Sequence, residues 1–199
     1  MLNIQLLNSP HPFASNCYLI SSDGEYAVVD PTAPYDADLI QGKLKYVLLT
    51  HAHFDHILDI DSWVEAGAEV LIFEDEREAL SDPMRNCYKI YNGTDNGYFG
   101  QARGQADGDI IPLGSSQIKI IGCPGHTIGS AAYLCENYAF VGDTVFAGGG
   151  YGRFDLPTGN FTMLRESIIR LASLPEAVIF YPGHGESTTV KQYRQDIGF

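Results

Sequence analysis

The order of apolar and polar positions divides the chain into short strand-like runs separated by turn residues, with fewer stretches of helical period. Residues 4–7, 15–20 and 26–30 read as strands of a meander, turned at Ser22-Asp23-Gly24 and stopped at Pro31. The run 45–50 holds four consecutive apolar residues, Tyr46 to Leu49, as expected of a strand buried on both faces. After Asp55 the period becomes helical: Ile57, Ile60, Trp63 and Val64 share one face, and Gly67 suits the position just past the helix end. Strands are expected again at 69–73, 117–121, 130–135, 138–141 and 177–181, and short helices at 36–41 and 75–80. Asn160 is placed to cap a helix carrying Phe161, Leu164, Ile168 and Leu171, and Ser187 or Thr188 to cap a last helix reaching about residue 195. The order, strands then helix and again strands then helix, predicts an α+β fold of two β-rich layers with helices outside.

Residues 86–108 break this pattern. They are rich in Asn, Gly, Gln and aromatics, with Tyr88, Tyr91, Tyr98 and Phe99 interspersed. So long a stretch without period suits a lid or substrate-contacting loop, or equally a surface excursion or oligomer contact.

A length of 199 residues suits one domain, spanning 1–199, with a substantial core. No apolar run approaches the roughly 18 residues of a membrane span, and the N-terminus carries no basic leader-like segment. A net charge of -13 argues against nucleic-acid partners, since phosphate contacts need Lys and Arg. The four cysteines form no C-x-x-C pair and no disulfide framework, which fits a reducing cytoplasm. A small-molecule substrate and a monomer or homodimer are the expectations that remain.

The chemistry concentrates in Thr50-His51-Ala52-His53-Phe54-Asp55-His56, which follows directly on a strand. Three further segments follow other expected strands: Pro124-Gly125-His126-Thr127, Val141-Gly142-Asp143-Thr144 and Pro182-Gly183-His184-Gly185. Five of the six histidines lie in these segments; His11 stands apart and reads as structural. Imidazole nitrogen and carboxylate oxygen together suit zinc, iron or manganese. In H-x-H, alternate side chains of an extended segment point the same way, so His51 and His53 can grip one ion. Asp55 and His56 arrive as the chain turns and can face a second, and Asp143 can bridge two ions through its two oxygens.

These motifs resemble those of the metallo-β-lactamase superfamily over essentially the whole chain, and within it the short glyoxalase II-like hydrolases. Gly142-Asp143-Thr144-Val145-Phe146 and Gly152-Arg153-Phe154-Asp155-Leu156-Pro157 are similar to that subgroup. The resemblance implies a four-layer αβ/βα sandwich with the site at one edge of the paired sheets. It implies one ion held by His51, His53 and His126, another by Asp55, His56 and His184, and Asp143 between them. It departs from the family in carrying Leu58-Asp59 where a Gly-Gly pair is frequent, and in having only residues 185–199 after the last histidine, without the helical domain that helps longer forms hold glutathione. Arg153 stands where a substrate-gripping Lys is expected, and Asp155 where a Tyr is expected.

The implied activity is hydrolysis of a thioester or related ester by a metal-bound hydroxide, with two divalent ions, zinc foremost, and Asp55 and Asp143 as catalytic carboxylates. Arg153 would hold a substrate carboxylate. The competing reading is an iron-dependent persulfide dioxygenase, which would use His51, His126 and Asp143 alone. A β-lactamase of the related class usually has Cys where Asp143 stands, so β-lactam hydrolysis is not expected. A closed, non-catalytic metal module would need every coordination position filled.

Overall fold

The computed structural model describes all residues, 1–199. Two six-stranded sheets face each other. The first runs β1 (Asn3–Leu7), β2 (Cys17–Ser22), β3 (Glu25–Val29), β4 (Lys43–Leu49), β5 (Glu69–Phe73) and β6 (Arg103–Gln105) in spatial order. Its first three strands are antiparallel and the rest parallel. The second holds β7 (Ile110–Leu113), β8 (Ser116–Gly122), β9 (Ala131–Cys135), β10 (Tyr138–Gly142), β11 (Ile179–Pro182) and β12 (Thr188–Thr189), also in chain order across the sheet. Within it only β10 and β11 are parallel.

The unbroken apolar runs are explained by burial on both faces. In β4, Tyr46 and Leu48 enter the core between the sheets, while Val47 and Leu49 face the outer layer with Ile60 and Trp63. Those two belong to α1 (Ile60–Glu65). In β10, Phe140 points between the sheets, and Ala139 and Val141 point outward to Leu171 and Tyr193. Those come from α3 (Phe161–Ala172) and α4 (Val190–Ile197). Period-two alternation therefore sorts each strand into an inner and an outer apolar set, and the four layers follow.

Local differences from the sequence reading have local causes. Residues 36–41 form only the 3-10 turn Ala37–Leu39, held by the Asp36 side chain accepting from Asp38 N. The polar run after β5 is a 3-10 helix, Glu74–Ser81. Residues 86–108 contain α2 (Tyr88–Asn92) and edge strand β6, and Tyr98 is buried against the outer core. Strand β7, interrupted by Pro112, escapes the periodic reading because an edge strand tolerates proline. Thr189, the last residue of β12, caps α4 in place of Ser187 or Thr188, its side chain accepting from Gln192 N. Asn160 caps α3 as expected, accepting from Met163 N.

Candidate metal centre and active site

Each chemical segment leaves the end of a core strand at the same edge of the sandwich. His51 follows β4, His126 follows β8, Asp143 follows β10 and His184 follows β11. A 3-10 turn at Phe54–His56 then carries Asp55 and His56 back toward the same point. The donor atoms form three sets lying within 4.8 Å of one another: His51, His53 and His126; His51, His56 and Asp143; Asp55, His56 and His184. All seven sequence-predicted donor residues are thus brought together. His51, His53, His56 and His126 are buried, whereas the His184 side chain is 39% exposed.

The hydrogen bonds behind the imidazoles determine which nitrogens face inward. His126 Nδ1 lies 2.6 Å from the Arg153 carbonyl, so it carries the proton and leaves Nε2 a lone pair. Thr50 Oγ1 donates to Asp30 Oδ2 at 2.7 Å, so at 3.2 Å from His51 Nδ1 it can only accept, which leaves His51 Nε2 a lone pair too. Those two Nε2 atoms face each other across 3.2 Å, with His53 Nδ1 3.0 Å from the His126 nitrogen. Two opposed lone pairs in a buried site repel unless a cation sits between them. His56 Nδ1 bonds Asp30 Oδ2 at 2.8 Å, and its Nε2 points at Asp143 Oδ1, 3.5 Å away. Neither of these last two atoms has a hydrogen-bond partner, and both are buried. The donor set therefore fits divalent ions.

The electrostatics express the same demand for positive charge. Burial, reinforced by the neighbouring histidines, holds His51 well below the ordinary imidazole range and His53 at about 3. Burial also holds His126 down. His56 is the exception: burial opposes its charge, yet the carboxylates of Asp30 and Asp143 hold it well above the usual value. For Asp143 and Asp55 burial favours the neutral acid, and the facing histidines overcome it and keep both ionised. A proton or a metal ion can satisfy the Asp30–His56–Asp143 line.

Three supporting residues lie outside the sequence-derived list. Asp30 takes a left-handed φ of 51°, which turns its carboxylate back to accept from Thr50 N at 2.8 Å, Thr50 Oγ1 and His56 Nδ1. Glu76 is buried, its carboxyl pushed up by burial, and accepts from Ala52 N at 3.2 Å and Gly129 N at 2.9 Å. It thereby ties the H-x-H segment to the loop that carries His126. Asn16 accepts nothing here but donates from Nδ2 to the carbonyls of Pro182 and Gly185 at 3.0 and 2.9 Å, clasping the His184 turn to the first sheet. Asp30 had a signal, a carboxylate closing an apolar strand, like the four segments already singled out. Glu76 sits in an acidic run, Glu74-Asp75-Glu76, that does not distinguish it. His11 lies apart, 2.9 Å from Asp59.

Close approach replaces side chains with glycine at the centre. A Cβ on Gly183 would collide with Asp143 Oδ1 and lie 2.6 Å from His56 Cε1. Above the donors opens a cleft of about 730 Å³, walled by Phe13, Phe54, Phe146 and Leu156, with Cys87, Tyr91 and Asn92 contributed by the 86–108 segment. Arg153 lines it as well.

Two sheets packed face to face, with a His/Asp cluster at one edge and a cleft above it, define a metal-dependent enzyme that binds divalent ions. The chain belongs to the metallo-beta-lactamase superfamily, whose family model matches residues 11–184. It is 32% identical to a probable metallo-hydrolase of Methanocaldococcus jannaschii, covering 87% of this chain and 89% of that protein. It is 29% identical to the hydroxyacylglutathione hydrolase GloC of Haemophilus influenzae, covering 94% and 93%. Among solved structures it is similar to the BLEG-1 B3 metallo-beta-lactamase, with TM-score 0.85 and 30% identity over 98% of this chain and 97% of the other. A second, TTHA1623 in a di-iron-bound form, superposes with TM-score 0.79 at 26% identity over 97% and 96%. No helix is long and apolar enough to cross a membrane.

Proposed function

We propose that the chain hydrolyses thioesters, or closely related activated esters, with two divalent ions. His51, His53 and His126 would hold one, and Asp55, His56 and His184 the other. Asp143 would serve both, its oxygens lying 3.5, 3.8 and 3.6 Å from the Nε2 atoms of His56, His126 and His184. The observation that carries the reading is this pair of adjoining donor sets, with facing lone pairs, beneath an open cleft. The relative named as a hydroxyacylglutathione hydrolase supports the thioester class.

Bound divalent ions would bring the pKa of water down to about 7 and polarise the substrate carbonyl. The protein's own contribution is positional. Asp55, kept ionised 3.2 Å from His184, offers an oxygen that accepts an O–H of the attacking water and orients it. Asp30 keeps the proton of His56 on Nδ1, away from the reacting centre. Phe54, Phe146 and Leu156 exclude solvent from one side of the acyl group, and the exposed His184 edge leaves a path for the thiolate. No Ser or Cys nucleophile is required; Cys87, beside the cleft, has its thiol pushed up to about 11 by burial and stays protonated.

The test is metal content per chain, followed by turnover of a panel holding a thioester, a persulfide with oxygen and a β-lactam. About two ions, mainly zinc, with thioester turnover supports the reading. One iron per chain with oxygen uptake would replace it with the dioxygenase. Cleavage of the β-lactam alone would replace it with the activity named for the BLEG-1 protein.

A further inference from the structure

The only permanently cationic side chain lining the cleft is Arg153, and each of its three nitrogens already donates one hydrogen bond within the protein. Nε and Nη2 donate to the two oxygens of Asp155 at 2.8 Å each, and Nη1 donates to Tyr91 Oη at 2.6 Å. The edge of the guanidinium forked onto Asp155 is closed to a second carboxylate, the Asp155 charge offsets its own, and of its five N–H groups only the two not engaged by Asp155 and Tyr91 remain for a weaker contact. The remaining cleft wall above the donors is apolar and open, with Phe13 78% exposed beside Phe54, Phe146 and Leu156. The net charge of -13 adds a long-range field that disfavours approach by anions.

From this arrangement we infer that Asp155 masks Arg153 and makes the site selective for thioesters whose thiol portion is uncharged and apolar, over those whose thiol carries free carboxylates. The inference rests on the thioester reading for the reaction, but not for the binding preference. Asp155 is a positioning residue: it acts on substrate only through Arg153. Because its side chain is 62% exposed, the pair is screened, and the expected selectivity is several-fold rather than thousands-fold.

The experiment uses the metal-loaded protein and a matched pair of probes, the lactoyl thioesters of 3-mercaptopropanoate and 3-mercaptopropanamide, which differ by one charge. The S-benzyl thioethers of the same thiols serve as ligands for calorimetry. The parent is expected to favour the amide of each pair by about fivefold. Asp155→Ala should shrink that preference about fivefold by improving the carboxylate, and adding Arg153→Met should cancel the gain. This cycle separates Arg153 from any carboxylate contact with bound ions, which all variants share. A parent preference for the carboxylate, an Asp155→Ala preference equal to the parent's, or failure of both thioethers to bind would overturn the inference. Thioethers that bind with the expected preference, beside thioesters that are not turned over, would uphold it and sink the thioester reading instead.

Discussion

Replacing Asp30 by Asn changes one atom of a buried carboxylate and sets the backbone against His56. Asp30 Oδ1 accepts from Thr50 N at 2.8 Å; Oδ2 accepts from Thr50 Oγ1 at 2.7 Å and from His56 Nδ1 at 2.8 Å. An amide has only one acceptor atom for these two positions. If its NH2 takes the Oδ2 place, His56 must move its proton to Nε2, the atom that points at Asp143. That blocks a proposed metal ligand, and loss of such a partner typically costs ~10- to 100-fold in metal affinity, or ~1.4–2.8 kcal/mol. If instead the NH2 takes the Oδ1 place, the buried Thr50 N–H loses its acceptor, at about 1–3 kcal/mol of folding stability. One loss or the other is unavoidable. Zinc affinity, measured by competition with a chromophoric chelator, and thermal unfolding of the metal-free protein together cover both branches. An Asp30→Asn protein matching the parent in both measurements would refute the reasoning.

Other outcomes follow from the same geometry. Glu76→Ala leaves the buried Ala52 and Gly129 N–H groups without acceptors and opens a small void, so the protein should lose about 2–5 kcal/mol in denaturant unfolding; a loss under about 0.5 kcal/mol would show that the tie is idle. Gly183→Ala drives a methyl group against Asp143 and His56 and should abolish stoichiometric metal binding, read by elemental analysis, while leaving the far-UV circular dichroism of the sheets in place. Acidification should weaken the metal-free fold. Below about pH 6.5 the unfolded chain takes up protons that His51, His53 and His126 refuse in the folded state, down to about 3 for His53. Stability should therefore fall with pH across that window, at up to ~1.4 kcal/mol per pH unit for each histidine. His56, raised rather than lowered, keeps its full contribution there and loses it only as pH climbs through its folded value. Melting temperatures that rise between pH 6.5 and 4.5 would contradict this.

The parts of this protein legible in its sequence are those set by short-range periodicity. Doubly buried strands such as β4 announce themselves by unbroken apolar runs, here Tyr46 to Leu49, and the helix after Asn160 by its cap and face. The donor segments were visible because His and Asp crowd within a few residues, directly after such strands. The 3-10 turns at 37–39 and 74–81 and the edge strand β7 escape the sequence reading, since three to eight residues hold too few turns of any period to distinguish them. What only the tertiary structure decided is the set of partners behind the donors. Asp30 meets His56 across 26 positions, Glu76 joins Ala52 to Gly129, and Asn16 holds a turn 166 positions away. Likewise Tyr91 reaches Arg153 from the segment without period, engaging the guanidinium nitrogen that Asp155 leaves free. Local pattern selects which backbone a residue adopts and which face it shows. Which proton an imidazole keeps, and whether a cation is free or masked, depends on atoms that only packing of the two sheets brings within three ångströms or so.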